Sequence, residues 1–134
     1  MPLLMILSRS FILAILMAVF SVPAFAKRPA PEPVPDVIYG SSRYSVVHFA
    51  VIDGAVINGG YVEAHDDNSG QKLWSVIVYR TRYRADLERD VQDVFITSMV
   101  MDAEGKHLIV TNEANQVYRI ELVSQKVQNV TAGN

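Results

Sequence analysis

The chain has 134 residues, half of them hydrophobic, with 19% charged, 9% aromatic, no cysteine and a formal net charge of −2 at pH 7. That length allows one small domain. The hydrophobic content excludes the composition of a disordered chain, and the mildly acidic balance excludes a dedicated nucleic-acid binder.

The N-terminus reads as an export signal. Phe11 to Val22 is apolar except for Ser21, follows Arg9, and leads into Pro23-Ala24-Phe25-Ala26, a small-x-small pattern that predicts cleavage after Ala26. The apolar core is too short to cross roughly 30 Å of hydrocarbon unless Arg9 is buried with it. Residues 1–26 are therefore expected to be a signal peptide, with translation starting at Met1 or Met5, and the processed chain to have no membrane span. Processing removes one of the 12 basic side chains and none of the 14 acidic ones, so the remainder carries a charge of −3. Export without cysteine suits a periplasmic or secreted bacterial protein that holds together by apolar burial alone.

Residues 27–36, KRPAPEPVPD, hold four of the 6 prolines and predict an extended, polyproline-like arm. Beyond it, residues 37–134 predict a single domain, because short apolar runs alternate with turn chemistry and no long helical stripe occurs. The expected fold is all-β and mainly antiparallel, a small sandwich or partly open barrel of about seven strands with one short helical turn.

Strands are expected near Ile38–Tyr39, Tyr44–Val51, Ala55–Ile57, Gly60–His65, Leu73–Arg82, Val94–Met101, His107–Asn112 and Val117–Val123. Turns are expected at Asp53-Gly54, Asn58-Gly59-Gly60, Asp66 to Gly70, Glu104-Gly105 and Glu113 to Asn115, where Asx residues and glycines tolerate positive φ. Ala85 to Val91 contains good helix formers, which places the helical turn near Asp86–Asp90. Both faces of Leu73–Val78 and of Val94–Met101 are largely apolar, so these two strands are expected in the middle of the sheets.

The segment Gly60 to Trp74, with Asp66-Asp67-Asn68-Ser69-Gly70 followed by Leu73-Trp74, resembles the repeat of pyrroloquinoline-quinone-type β-propeller proteins. In that repeat a strand, an Asp-x-x-x-Gly turn and a strand marked by Trp recur in every blade. Gly105 to Leu122 is similar to a degenerate copy without the Trp. The length supplies two blades at most, so the resemblance implies a hairpin and carries no quinone cofactor with it. From Pro33 to Glu113 the order of motifs also resembles a group of small exported bacterial proteins without an assigned activity, which implies a shared fold and exported location.

Asp66 to Gly70 offers alternate oxygens but lacks the distal bidentate acid of a calcium loop, and predicts a hairpin turn. Glu88, Asp90, Gln92 and Asp93 crowd a segment beside Arg84 and Arg89, where paired carboxylates could do acid–base work or could cap the turn and pair with arginines. Arg80, Arg82 and Arg84 alternate with Thr81 and Tyr83, giving either a grip for an anionic partner or a charged row that protects a strand edge. His48, His65 and His107 have no ligand-like spacing, so no metal site is expected, and Trp74 is expected in the core.

No nucleophile elbow, phosphate loop or haem attachment motif occurs in the sequence. The expectation is a non-catalytic module, with no cofactor, that binds an envelope protein or surface polymer. The alternative is a small envelope hydrolase or ligand-binding protein that uses the acidic segment Glu88 to Asp93, drawn together with Glu113 in a concave site.

Overall fold

A computed structural model describes residues 28–132. The expected signal segment lies outside the described residues. Three antiparallel sheets contain the ten strands found among the described residues. The first orders β1 (Val37–Tyr39), β2 (Ser42–Val46), β5 (Tyr61–Asp66) and β6 (Lys72–Ile77) as β1-β2-β5-β6. Its counterpart orders β7 (Ile96–Met101), β8 (His107–Asn112), β9 (Val117–Glu121) and β10 (Val127–Asn129) as β10-β9-β8-β7. Between β2 and β5 the chain makes a separate hairpin of β3 (Phe49–Ile52) and β4 (Ala55–Asn58). The sheets do not close into a barrel, and no helix among the described residues is long and apolar enough to cross a membrane.

The two four-stranded sheets share one core because period-2 alternation gives each an apolar face. Val62 and Ala64 of β5, Leu108 and Val110 of β8, and Ile120 of β9 are fully buried, with Tyr44, Ile96, Met99 and Tyr118 around them. Burying each large apolar side chain stabilises the fold by about 1.5–3 kcal/mol.

Local chemistry sets the turns where the sequence marks them. Asp53 and Gly54 take φ of 50° and 78°, the two left-handed residues that a two-residue hairpin requires. Asp66 Oδ1 accepts from the main-chain N–H groups of Asn68 and Ser69 at 2.9 and 2.8 Å, closing the β5–β6 connection as an Asx turn. Asn112 is almost fully buried and accepts from the N–H groups of Ala114 and Gln116, which shapes the β8–β9 turn.

Four expectations require correction. The described residues form ten strands, because the run expected as Tyr44–Val51 breaks at Val47-His48 into β2 and β3, and β10 adds a short strand beyond the last one expected. Leu73–Arg82 is too long: the ladder stops at Ile77, and the next residues stay extended without joining a sheet. The helical turn is a 3₁₀ turn at Asp90–Gln92, later than Asp86–Asp90. Finally, β6 and β7 are edge strands. Their second apolar face meets solvent in part, with Leu73 and Val100 both 52% exposed.

Candidate functional site

The arginine row Arg80 to Arg84 and the acidic segment Glu88 to Asp93 lie on the long connection from β6 to β7, and the structure separates them by role. After Ile77, Tyr79, Thr81 and Tyr83 turn inward while Arg80, Arg82 and Arg84 face solvent, as strand alternation requires. The Tyr79 ring stacks on Tyr118 at 5.1 Å and its hydroxyl donates to the carbonyl of Val94 at 2.6 Å. Burial pushes the Tyr79 phenol far above its ordinary pKa, so it acts as a neutral donor. Arg84 pairs with Asp86, whereas Arg80 and Arg82 make no ion pair among the described residues.

The acids do not act as one group. Glu88 and Asp90 are exposed, and among the described residues the Asp90 carboxylate accepts only from the N–H of Val91. Asp93 is 5% exposed and its two oxygens are divided: Oδ1 accepts from the Tyr83 hydroxyl and Oδ2 from Asn58 Nδ2 at 3.0 Å. Desolvation, followed by the Asp93 contact, raises the Tyr83 phenol. Arg89 lies over the same Tyr83 ring, 4.2 Å from its centroid.

Glu113, in the turn after β8, accepts from the N–H of Phe95 at 3.0 Å and pairs with Arg28. Although desolvation opposes it, Arg28 and the Phe95 amide hold the Glu113 carboxyl below its usual range. The Arg28 guanidinium also binds the main-chain carbonyl of Asp93 and sits 4.9 Å from the centre of the Phe95 ring. Asp93 and Glu113 thus lie on either side of one arginine, each occupied by its own donors. No hydrogen bond or ion pair among the described residues joins the Glu88 or Asp90 carboxylate to them.

The remaining candidates are dispersed. Glu63 raises the His65 pKa through a 2.9 Å contact, helped by the Gly70 carbonyl. His107 contacts Asp102 at 2.7 Å, and His48 contacts the carbonyl of Glu32 in the proline arm at 2.9 Å. Trp74 is half-buried and packs on Tyr44 with ring centres 5.8 Å apart, on the margin of the core.

Two residues organise this region beyond the roles expected of them, Gln92 as one of a crowded polar segment and Asn58 as a turn residue. Gln92 Nε2 donates to the carbonyls of Arg84, Leu87 and Glu88, and its Oε1 accepts from the Arg84 N–H at 2.6 Å, so one side chain folds the connection back on itself. Asn58 ties that connection to the hairpin. The Asn58 bond has no sequence signal, since Asp93 is brought near it only by the fold.

The hairpin presents a different surface. Facing pairs in its register put Phe49, Val51 and Val56 on one side, where they are 60%, 73% and 59% exposed. Phe49 touches the Phe95 ring edge-on at 5.4 Å, which anchors one end of this apolar strip while the rest stands in solvent. Comparison of the chain with known protein families and with curated proteins finds no match.

Proposed function

We propose that this chain is an exported β-domain that works as a non-catalytic interaction module, engaging another envelope protein through the β3–β4 hairpin. The observation that carries the reading is the hairpin's exposed strip of Phe49, Val51 and Val56. A contiguous apolar surface on a small domain is costly to leave in water and is a usual mark of a contact surface. The division of Asp93 and Glu113 among internal donors favours the same reading over acid–base chemistry, because each carboxylate is engaged in holding segments together.

Export rests on the apolar run before Ala26. Mass spectrometry of the product from the envelope fraction should find Lys27 as its first residue, and an intact Met1 or Met5 start would overturn this part. For the interaction, a photo-reactive side chain at Asp53, at the hairpin tip, should give a discrete cross-linked product in intact cells. Val51→Glu should abolish it. Equal labelling from a probe at Gln128, on β10, would reject the hairpin as the contact surface.

A further inference from the structure

A trough of about 250 Å³ lies beside the hairpin, between β4 and the extended stretch Tyr79–Tyr83. It forms where two strands part company. Val78 donates to the carbonyl of Gly60 at 2.7 Å, continuing the β5–β6 pairing by one step. From there the chain on one side passes through Gly59 into β4 and on the other runs on as Tyr79–Tyr83. Glycines with φ of 75° and 66° at positions 59 and 60 turn the first away from the second.

Both walls carry main-chain groups that are unpaired among the described residues. Gly59 donates to the carbonyl of His48 at 2.8 Å, which sets the phase of the hairpin ladder. Antiparallel bonds alternate, so Ala55 and Ile57 exchange bonds with β3 while the N–H and C=O groups of Val56 and Asn58 point to the trough. Tyr79–Tyr83 makes no main-chain hydrogen bond among the described residues. Side chains add to the demand: Asn58 Oδ1 and Thr81 Oγ1 are buried without a hydrogen-bond partner among the described residues. Arg80 and Arg89 line the trough, and exposed Arg82 lies in the chain between two further lining residues, Thr81 and Tyr83.

We propose that this trough takes an extended, acidic segment of another polypeptide, which adds to β4 as a further strand. Its main chain pairs with Val56 and Asn58, and its carboxylates, alternating on one face, meet Arg80, Arg82 and Arg89. Strand addition satisfies an open edge with main-chain bonds, and the guanidinium groups select the sign of the side chains. The proposal rests on the interaction-module reading and specifies a partner chemistry for it.

The test uses the purified protein and a fluorescent peptide of about nine residues, a usual strand length, that alternates valine or threonine with glutamate. A lysine counterpart and a form N-methylated at alternate residues serve as comparisons. The glutamate peptide should bind, the lysine peptide should not, and N-methylation on the pairing edge should weaken binding by roughly tenfold or more, the equivalent of one good interaction lost. Arg80→Glu with Arg82→Glu should weaken it similarly. Amide exchange should slow at Val56 and Asn58 when the peptide binds. Absence of binding by the glutamate peptide, equal binding of the lysine peptide, or indifference to N-methylation would overturn strand addition. Self-association through this edge, seen by sedimentation and abolished by the arginine substitutions, would also overturn it by naming a second copy as the occupant. If cross-linking from the hairpin tip persists while the peptide fails, only strand addition falls; loss of both removes the interaction-module reading as well.

Discussion

Asn58 of the β3–β4 hairpin donates to the carboxylate of Asp93 at 3.0 Å, across 35 positions of sequence. This bond joins the hairpin to the loop that leads into β7, and Asp93 takes a second bond from Tyr83 on the earlier limb of the same loop. One buried carboxylate therefore positions three segments around the trough.

Asp93→Ala leaves the Tyr83 hydroxyl and the Asn58 amide without their acceptor in a site only 5% exposed. Hydrogen bonds to charged groups contribute about 1.5–3 kcal/mol each, partly offset when water enters, so the expected cost is about 2–3 kcal/mol. Asp90→Ala, which loses only an exposed local bond, should stay within about 0.5 kcal/mol. Urea melts of the two variants check this. Equal stability of both would mean that Asp93 is not a structural tie.

Gly59 and Gly54 offer a matched pair. Both have positive φ, 75° and 78°, but a Cβ on Gly59 would lie 2.1 Å from the Val94 carbonyl oxygen while one on Gly54 meets nothing within 4 Å. Left-handed strain alone costs about 1–2 kcal/mol. Gly54→Ala should cost about that much, and Gly59→Ala more than about 3 kcal/mol because main chain must move. Thermal melts of the two alanine variants measure the difference.

Gln92→Ala removes the side chain that holds the carbonyls of Arg84, Leu87 and Glu88. The core is untouched, so global stability should change by less than about 1 kcal/mol. Local opening should become easier by about 1–1.5 kcal/mol, which corresponds to roughly tenfold faster trypsin cleavage at Arg84 and Arg89. A cleavage rate equal to that of the unaltered protein would show that other contacts hold the loop.

Acid should destabilise the protein in a window set by Asp102 and Glu113. Against opposing desolvation, the Lys106 amide and His107 hold Asp102 at about 2, below its ordinary 3.8. A carboxylate with a depressed folded pKa contributes stability above its unfolded value and loses it as pH falls to the folded one. The Asp102 share should thus disappear between pH 3.8 and about 2, and Asp102→Asn should flatten that limb of a melting-temperature profile. Glu113, also depressed, begins to lose its share below 4.5. His65 has the opposite sign: raised above 6.5 by Glu63, it stabilises below that value and stops doing so as pH climbs through its folded pKa. His65→Gln should remove this decline.

The turns, the strand content and the inward or outward sense of most side chains were legible in the sequence because each depends on neighbours one to four residues away. Asp53-Gly54, Asp66 to Gly70 and the alternation of Tyr118 and Ile120 with Arg119 and Glu121 are cases in point. The alternation of Arg80, Arg82 and Arg84 with Tyr79, Thr81 and Tyr83 belongs here too, since it follows from extended backbone alone. Which strands stand at an edge was decided only by tertiary structure. Leu73 and Val100 are apolar whether or not a neighbour covers them, so the composition of β6 and β7 could not distinguish a central strand from an exposed one. The split of acidic roles was equally invisible: Glu88, Asp90 and Asp93 are chemically alike and close in sequence, yet only Asp93 meets Asn58 and Tyr83. That difference arises because hydrogen-bond partners are set by proximity in space, and the fold buries one carboxylate while it leaves the other two in water.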